Sequence, residues 1–413
     1  MNTTRALAVL AIGASLVAGA CSSSSKPAAT GSTTTVGSSA SSSATTTGGG
    51  SAGPLSISSF TRDFSAMAQL KSVASAGKGS IGVILPDTVS SARYTEFDAP
   101  YLTKAFQQAG LSSSDFKIQN AQGSDPTMLT DAQSDITAGA SVLVIDPLDK
   151  GVGAQVESYA KQHGVAVIDY DRLTLGGDRS YYVSFDNVKV GNLLGQGLVS
   201  CAAAWNVSSP NVIEMKGDPT DNNATLFAQG YDQILNPKFN GGGWTRVAEP
   251  AGTWTPSVAQ TEFEQAYTAH KNANAALVPN DENAAPIIQY LQSLHIPSKS
   301  FPITGQDATL VGLQNILLGY QCGTVYKPIY EEAQAAAALA IYLRAGQTPP
   351  SSLVNGQTAD TVSNTQVPSV LLNPEWVTTQ NMNSTIIADG FVTASQLCTS
   401  QYKSACTSAG ISG

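Results

Sequence analysis

Residues 165–172 read VAVIDYDR, a short apolar run that ends in two aspartates and an arginine. Four later runs have the same form and lead to polar groups at 221–223, 280–282, 306–307 and 326–327. A short apolar run followed by a helical pattern is typical of a parallel strand in an α/β sheet. Ligands of such sheets bind beyond the carboxyl ends of the strands, so the pattern predicts that these carboxylates, amides and cations face one cleft. Such a set of side chains suits a polyhydroxylated small molecule.

The same alternation of apolar runs and helical patterns extends along most of the chain. It predicts two α/β series, with strands at 80–85, 116–120, 141–145, 165–169 and 182–185, and then at 212–216, 244–248, 275–278, 303–305 and 323–326. The roughly 350 residues involved exceed what one core usually supports. We therefore predict an α/β fold with two lobes, each a parallel sheet with helices on both faces, joined by a hinge with a ligand cleft between them. Closure of the hinge around a ligand is the usual motion of this architecture.

The N-terminal segment has the composition of an export signal followed by a tether. Arg5 precedes the apolar stretch 6–20, which predicts a signal peptide over residues 1–20. Small residues directly before Cys21 indicate lipid attachment at that cysteine, although cleavage of an ordinary secretion signal near Ala20 is the alternative. Residues 21–55 are mostly Ser, Thr, Gly and Ala, a composition typical of a flexible tether. We expect an exported lipoprotein anchored to the outer face of the bacterial cell membrane.

Composition and missing motifs exclude several functions. The net charge is −9 and no Lys/Arg cluster occurs, which argues against nucleic acid as a partner and against electrostatic adhesion to anionic lipid. No GxSxG, HExxH or Walker pattern is present, and none of the three histidines lies among the polar residues that follow the apolar runs. We therefore expect a monomer that is not an enzyme and that needs no cofactor or metal.

Four cysteines remain when Cys21 is set aside. In an exported protein, this number favours two disulfides. Cys398 and Cys406 would close a short loop, which leaves Cys201 and Cys322 as the second pair in the preferred connectivity. The other two connectivities stay open at this point.

The polar groups also carry a family resemblance. From about residue 80 to 391 the chain resembles the periplasmic sugar-binding proteins of ABC importers (the type I periplasmic-binding fold), and among them the D-xylose binders in particular. The strings that carry the resemblance are IDYDR (168–172), SFDN (184–187), DPTDNNA (218–224), ND (280–281), GQDA (305–308), TVYKPI (324–329) and LLNPEWVTTQNMNSTIIADG (371–390). Each string alone is weak, but the ordered set is specific.

The resemblance implies the lobes, the site residues and the partners. The first lobe would comprise 56–187 plus about 329–366, and the second 188–328 plus about 367–413. The residues expected to contact the sugar are Arg93, Tyr94, Asp171, Arg172, Asp221, Asn223, Trp254, Asn280, Asp307 and Lys327. Tyr94 and Trp254 would form aromatic walls, and the others would bind hydroxyl groups. The ligand would be a monosaccharide, D-xylose first, which the closed protein delivers to the membrane subunits of an ABC permease.

Other interpretations of the same residues stay open. Asp171 and Asp221 could cap the turn or helix that follows them, Trp254 could be a core aromatic, and Arg93 a solvated loop charge. A secreted glycoside hydrolase could use Asp221 and Asp307 as paired carboxylates, one of them with a raised pKa. We expect neighbouring Arg and Lys side chains to keep both ionised, which favours holding a sugar over cleaving it. A receptor lobe that senses sugar would share the binding chemistry and differ only in its docking partner.

Overall fold

The computed structural model describes residues 55–412. The predicted signal peptide, Cys21 and all but the last residue of the predicted tether lie outside the described residues. Within residues 55–412, no helix is both long and apolar enough to cross a membrane.

Strands and helices alternate along the described chain. The strands are β1 (Ser80–Leu85), β2 (Phe116–Asn120), β3 (Ala140–Ile145), β4 (Ala166–Tyr170), β5 (Tyr181–Phe185), β6 (Asn211–Glu214), β7 (Thr245–Ala248), β8 (Ala275–Leu277), β9 (Thr324–Tyr326), β10 (Gly356–Asp360), β11 (Thr365–Leu372) and β12 (Glu375–Val377). The helices are α1 (Lys71–Ala76), α2 (Ala99–Gln108), α3 (Asp125–Thr137), α4 (Lys150–Gln162), α5 (Asn187–Ala204), α6 (Asn222–Phe239), α7 (Pro256–Ala269), α8 (Asp281–Ser293), α9 (Leu310–Leu318), α10 (Ile329–Arg344), α11 (Ala394–Leu397) and α12 (Lys403–Ser408).

The first lobe is built on a seven-stranded sheet in the order β10-β11-β5-β4-β3-β1-β2. All neighbouring strands are parallel except β10, which runs antiparallel to β11. Strands β1 and β3 are almost entirely apolar because both of their faces are covered. Phe106 of α2 and Ala337 of α10 belong to the core on one face, while Met128 of α3 and Val156 of α4 belong to the core on the other.

The second lobe contains the three-stranded parallel sheet β7-β6-β8. Single bridges from Ala276 to Ile303 and from Gln306 to Val325 extend this sheet to β9, on which β12 lies antiparallel. The strand predicted at 303–305 is therefore present only as bridges. Helices α7 and α8 contribute to the core cluster on one side, and α5 and α6 to the cluster on the other.

The chain crosses between the lobes after β5, after β9 and after β11, so the predicted two-lobed α/β fold is confirmed. Two details differ from the sequence prediction. The sheets are not wholly parallel, because β10 and β12 are antiparallel edge strands. The last crossing follows Leu372 and not residue 366, because β11 pairs with β5 along residues 369–372 and so belongs to the first sheet.

Two disulfides hold the second lobe and the tail. Cys201 on α5 is bonded to Cys322, just before β9, and Cys398 is bonded to Cys406. The preferred connectivity is therefore confirmed. The tail that carries the second bond also reaches the first lobe, where Phe391 stacks on Phe97 with ring centroids 3.8 Å apart.

Candidate functional site

A small cavity lies between the two lobes. It is lined by Ser90, Ser91, Arg93, Tyr94, Asp171, Arg172, Asp221, Asn223, Phe227, Trp254, Asn280, Gln306, Asp307 and Lys327. All ten residues that the sequence predicts for the site line this one cavity. Four others, namely Ser90, Ser91, Phe227 and Gln306, were not predicted.

Strand ends and helix starts position these side chains. Asp171 and Arg172 directly follow β4, and Lys327 directly follows β9. Asp221 is the N-cap of α6 and Asn280 is the N-cap of α8, where its side chain accepts from Asn283 N at 3.0 Å. The capping and site interpretations are therefore compatible, because the helix starts that these residues cap lie at the cavity.

Glycine at position 217 makes room for the aromatic wall. A Cβ added at Gly217 would lie 2.2 Å from Cζ2 of Trp254, so a larger residue would displace the indole. Trp254 also packs edge-on against Phe227, with centroids 6.4 Å apart. Its indole N–H donates to Asp221 Oδ2 at 3.0 Å, which fixes the ring beside the cavity.

Arg93 is held by three carboxylates in the first lobe. Its Nε and Nη2 donate to the two oxygens of Asp98 at 2.9 and 2.7 Å, Nη2 also donates to Glu332 at 2.5 Å, and Nη1 donates to Asp171 at 3.0 Å. Four of the five guanidinium N–H groups are thereby used within the protein. Arg93 is a buried charge and not a solvated one, and one N–H remains for a ligand.

Two acids that contact Arg93, namely Asp171 and Glu332, have pKa values shifted in opposite directions. Burial raises the pKa of Asp171, but the charges of Arg93, Lys327 and Arg172 outweigh it and lower that pKa to about 2. Burial raises the pKa of Glu332 to about 8, against the opposing effect of Arg93. One guanidinium cannot neutralise three carboxylates, so near neutral pH Glu332 keeps its proton while Asp171 is a carboxylate.

A pH-dependent stability follows from Glu332. Its pKa of about 8 in the folded protein lies above the ordinary value of 4.5, so the folded chain retains a proton that the unfolded chain releases between these values. The free energy of unfolding should therefore fall as the pH rises through this window. Glu332→Gln stays neutral at every pH. Its free energy of unfolding, relative to that of wild type, should therefore rise by more than about 1.4 kcal/mol (the equivalent of one pKa unit) between pH 6 and pH 9.

Urea unfolding of both proteins at pH 6 and pH 9 measures this difference. Glu375→Gln, at an exposed position outside the cavity, serves as the control and should follow wild type at both pH values. A stability difference between Glu332→Gln and wild type that does not change with pH would contradict the protonation of Glu332.

Arg172 connects the two lobes across the cavity. Its Nη2 donates to Ser90 Oγ at 3.2 Å and to the hydroxyl of Tyr94 at 3.1 Å. Its Nε lies 3.6 Å from Asp146 in the first lobe and 3.6 Å from Asp221 in the second. The Tyr94 hydroxyl in turn donates to Asp171 Oδ2 at 2.9 Å, so the aromatic wall is also part of the polar network.

Asp307 and Asp221, the acids of the second lobe that line the cavity, have different surroundings. Lys327 Nζ lies 2.9 Å from Asp307 Oδ1, and both side chains are buried. Burial lowers the pKa of Lys327, but Asp307 and Asp171 outweigh it and raise that pKa, so the ammonium stays charged. For Asp221 the effect of burial is larger than that of Arg172 and raises the pKa of its carboxyl. The carboxyl pKa of Asp221 is therefore above its ordinary value although Arg172 lies nearby.

Asn223 joins the lobes through its side-chain amide. Its Nδ2 donates to the backbone carbonyl of Asp171 at 2.9 Å. Its Oδ1 accepts from the Tyr182 hydroxyl at 3.1 Å and from Asn187 Nδ2 at 2.8 Å. Three of its hydrogen-bonding positions are thus used within the protein, two of them by groups of the first lobe, and one N–H is left for a ligand.

Two further hydrogen bonds close the other side of the cavity. Asn280 Nδ2 donates to the carbonyl of Ser90 at 3.1 Å. Glu282 Oε1 accepts from the backbone N–H of Ala92 at 2.9 Å. The lobes therefore lie in a closed arrangement, held by polar contacts between residues that are distant in the sequence.

Comparisons with known proteins agree with this architecture. The family model described as periplasmic binding protein domain matches residues 81–348. The D-xylose-binding periplasmic protein of Escherichia coli (strain K12) is 38% identical over 285 residues, which are 68% of this chain and 82% of that protein. The protein of the same name from Haemophilus influenzae is 36% identical over 278 residues, 67% of this chain and 80% of that protein.

A solved structure shares the fold at moderate sequence identity. The crystal structure of a carbohydrate-transporter solute-binding protein from Chloroflexus aurantiacus, in complex with D-glucose, superposes with a TM-score of 0.68 at 28% identity. The match covers 76% of this chain and 97% of that one. The common fold thus extends over almost the whole of the solved protein.

Proposed function

Because the chain belongs to the periplasmic binding protein family, we propose that it is the solute-binding component of an ABC sugar importer. It binds a monosaccharide reversibly between its lobes and delivers it to the permease when the lobes have closed. The observation that carries the proposal is the single cavity that all ten predicted residues line. Only a higher affinity of the sugar for the closed arrangement can drive the closure.

The chemistry of the lining matches a small polyol. The carboxylates of Asp171 and Asp307 can accept from sugar hydroxyls, and charge roughly doubles the strength of such bonds. Lys327 forms an ion pair with Asp307, with 2.9 Å between Nζ and Oδ1, and the N–H groups of its ammonium can donate to hydroxyl or ring oxygens. Tyr94 and Trp254 provide apolar surface for the C–H faces of the ring.

D-Xylose is the sugar we propose first. Two relatives at 38% and 36% identity are named for it, while the solved relative at 28% identity holds D-glucose. The two sugars differ by one CH₂OH group, and a pocket rejects an additional group of this kind only by steric conflict.

Isothermal titration with xylose, glucose, arabinose, ribose and galactose tests the proposal. We expect one binding site per chain, with D-xylose bound most tightly. Tighter binding of glucose would keep the importer role and change the substrate. The absence of heat with all five sugars, from a chain whose circular dichroism shows it to be folded, would overturn the proposed function.

We also propose that the protein holds the sugar without cleaving it. A glycosidase needs one protonated acid and one ionised carboxylate on either side of the scissile bond. The raised pKa of Asp221 would suit the acid, but both of its oxygens already accept hydrogen bonds, from Asn223 N and from Trp254. Incubation with xylo-oligosaccharides should release no product, and turnover would favour the hydrolase.

Export and the membrane anchor at Cys21 are part of the same proposal and rest on the N-terminal sequence. A receptor lobe that senses the same sugar would bind it with the same residues. The two roles differ in the protein that docks on the closed lobes, which is an ABC permease in the role proposed here.

A further inference from the structure

Gln306 lies in the wall of the cavity, next to Asp307. Its backbone carbonyl accepts from Asp281 N at 3.0 Å, and the residue forms a parallel bridge with Val325. The preceding Gly305 leaves no room for a side chain, because an added Cβ would lie 2.0 Å from Oδ1 of Asp281. The backbone at Gln306 is therefore fixed, and the residue is only 3% exposed.

The amide of Gln306 has one partnered end and one unpartnered end. Its Nε2 donates to the backbone carbonyl of Pro279 at 3.2 Å. Its Oε1 is buried and has no hydrogen-bond partner within residues 55–412. Turning the amide over would bring Oε1 against the Pro279 carbonyl, where two acceptors repel each other. Pro279 thus fixes the orientation and leaves the carbonyl end free.

We infer that Gln306 is a further specificity-determining residue, whose Oε1 accepts a hydrogen bond from one hydroxyl of the bound monosaccharide. The inference rests on the proposed function and adds to it a residue and a selection rule. A sugar that lacks this hydroxyl leaves a buried carbonyl unpaired, and such a site discriminates strongly against the analogue. Gln306 is neutral, so it needs no cation beside it, in contrast to Asp307 with Lys327.

A second buried glutamine provides a matched control. Gln334 on α10 also donates from Nε2 to backbone carbonyls, those of Thr61 and Tyr330, and its Oε1 likewise has no partner among the described residues. Gln334 does not line the cavity. A general effect of removing a buried glutamine amide should appear in both variants, whereas loss of a sugar contact should appear at Gln306 alone.

The test uses Gln306→Met and Gln334→Met, which keep the unbranched shape of the side chain and remove its amide. Calorimetry measures their affinity for D-xylose and for the set of xylose analogues that each lack one hydroxyl. We expect Gln306→Met to weaken D-xylose binding about 10- to 100-fold. Wild type should bind each analogue more weakly than D-xylose. For one analogue this difference in affinity should disappear in Gln306→Met, because the missing hydroxyl and the missing carbonyl belong to one hydrogen bond.

Gln334→Met should bind every sugar as wild type does. Wild-type affinity in Gln306→Met would overturn the inference and leave the proposed function intact. An equal loss of affinity for all analogues in this variant would also overturn the inference, since that pattern indicates a structural effect. A folded wild-type chain that binds none of the sugars would overturn the proposed function, and this inference with it.

Discussion

Asp307→Asn should lower the affinity for D-xylose about 100-fold or more while the chain keeps its fold. The carboxylate of Asp307 faces the cavity and forms a buried ion pair with Lys327, with 2.9 Å between Oδ1 and Nζ. Asparagine has nearly the same shape but carries no charge and one acceptor fewer. The variant therefore loses charge-assisted acceptance from the sugar and leaves the Lys327 ammonium without its nearest carboxylate partner. A hydrogen bond to a charged group commonly contributes about 1.5–3 kcal/mol, and a 100-fold change in affinity corresponds to about 2.7 kcal/mol.

Asparagine is a better replacement than alanine because of the backbone at this position. The φ angle of Asp307 is 85°, a left-handed conformation that asparagine and aspartate adopt more readily than other non-glycine residues. Alanine would remove the carboxylate and add backbone strain, so a loss of affinity could arise from either. Asp307→Asn separates the loss of charge from any change in backbone conformation.

Asp135→Asn is the matched control for this variant. Asp135 is also a buried acid paired with a lysine, with 3.0 Å between its Oδ1 and Lys117 Nζ, but it lies on α3 away from the cavity. Calorimetry with D-xylose should show the affinity of wild type in Asp135→Asn and the large loss in Asp307→Asn. An Asp307→Asn protein that binds within about threefold of wild type would contradict the assignment of Asp307.

The meeting of the site residues in one cavity could be predicted because it depends on a regular feature of the fold. Asp171, Arg172 and Lys327 each follow a strand, and parallel strands end at the same edge of their sheet. The family resemblance supplied the remaining positions, including Trp254 between β7 and α7, which lies outside the strings that carry the resemblance. Gln306 lies in one of those strings and was passed over for the charged residue beside it.

Other parts of the site depend on contacts that no local pattern contains. Arg93 is held by Asp98, five residues further on, and by Glu332 from the distant helix α10. The pKa of Asp221 depends on the balance between burial and the 3.6 Å separation from Arg172. Both require distances between segments that only the folded chain brings together.

The strands β10 and β11 were not predicted from the sequence for a different reason. The strand β10 contains glycine and several polar residues, and β11 contains Pro368, so neither shows the apolar run that marked the earlier strands. The strand β10 forms the edge of the first sheet, where polar residues are tolerated, and Pro368 of β11 precedes the residues 369–372 that pair with β5. Their positions follow from the pairing of β11 with β5 and of β10 with β11, which a sequence pattern does not reveal.

Removal of the Cys201–Cys322 disulfide should lower the free energy of unfolding by about 4–5 kcal/mol. The two cysteines are 121 residues apart, and a cross-link that closes so long a loop removes much of the entropy of the unfolded chain. The bond joins α5, the first helix of the second lobe, to Cys322, two residues before the start of β9, after which the chain crosses back to the first lobe. Its loss should therefore weaken the second lobe as a whole.

The tail disulfide provides the internal comparison for this prediction. Cys398 and Cys406 are 8 residues apart, so the same relation gives a smaller effect of about 2–3 kcal/mol. Urea unfolding of Cys201→Ala/Cys322→Ala and of Cys398→Ala/Cys406→Ala measures both. Because Cys201 and Cys322 lie away from the lining of the cavity, the first variant should still bind D-xylose under conditions in which it is folded. Equal losses in the two variants, or a loss below about 1 kcal/mol in the first, would show that loop closure does not determine the stability of the second lobe.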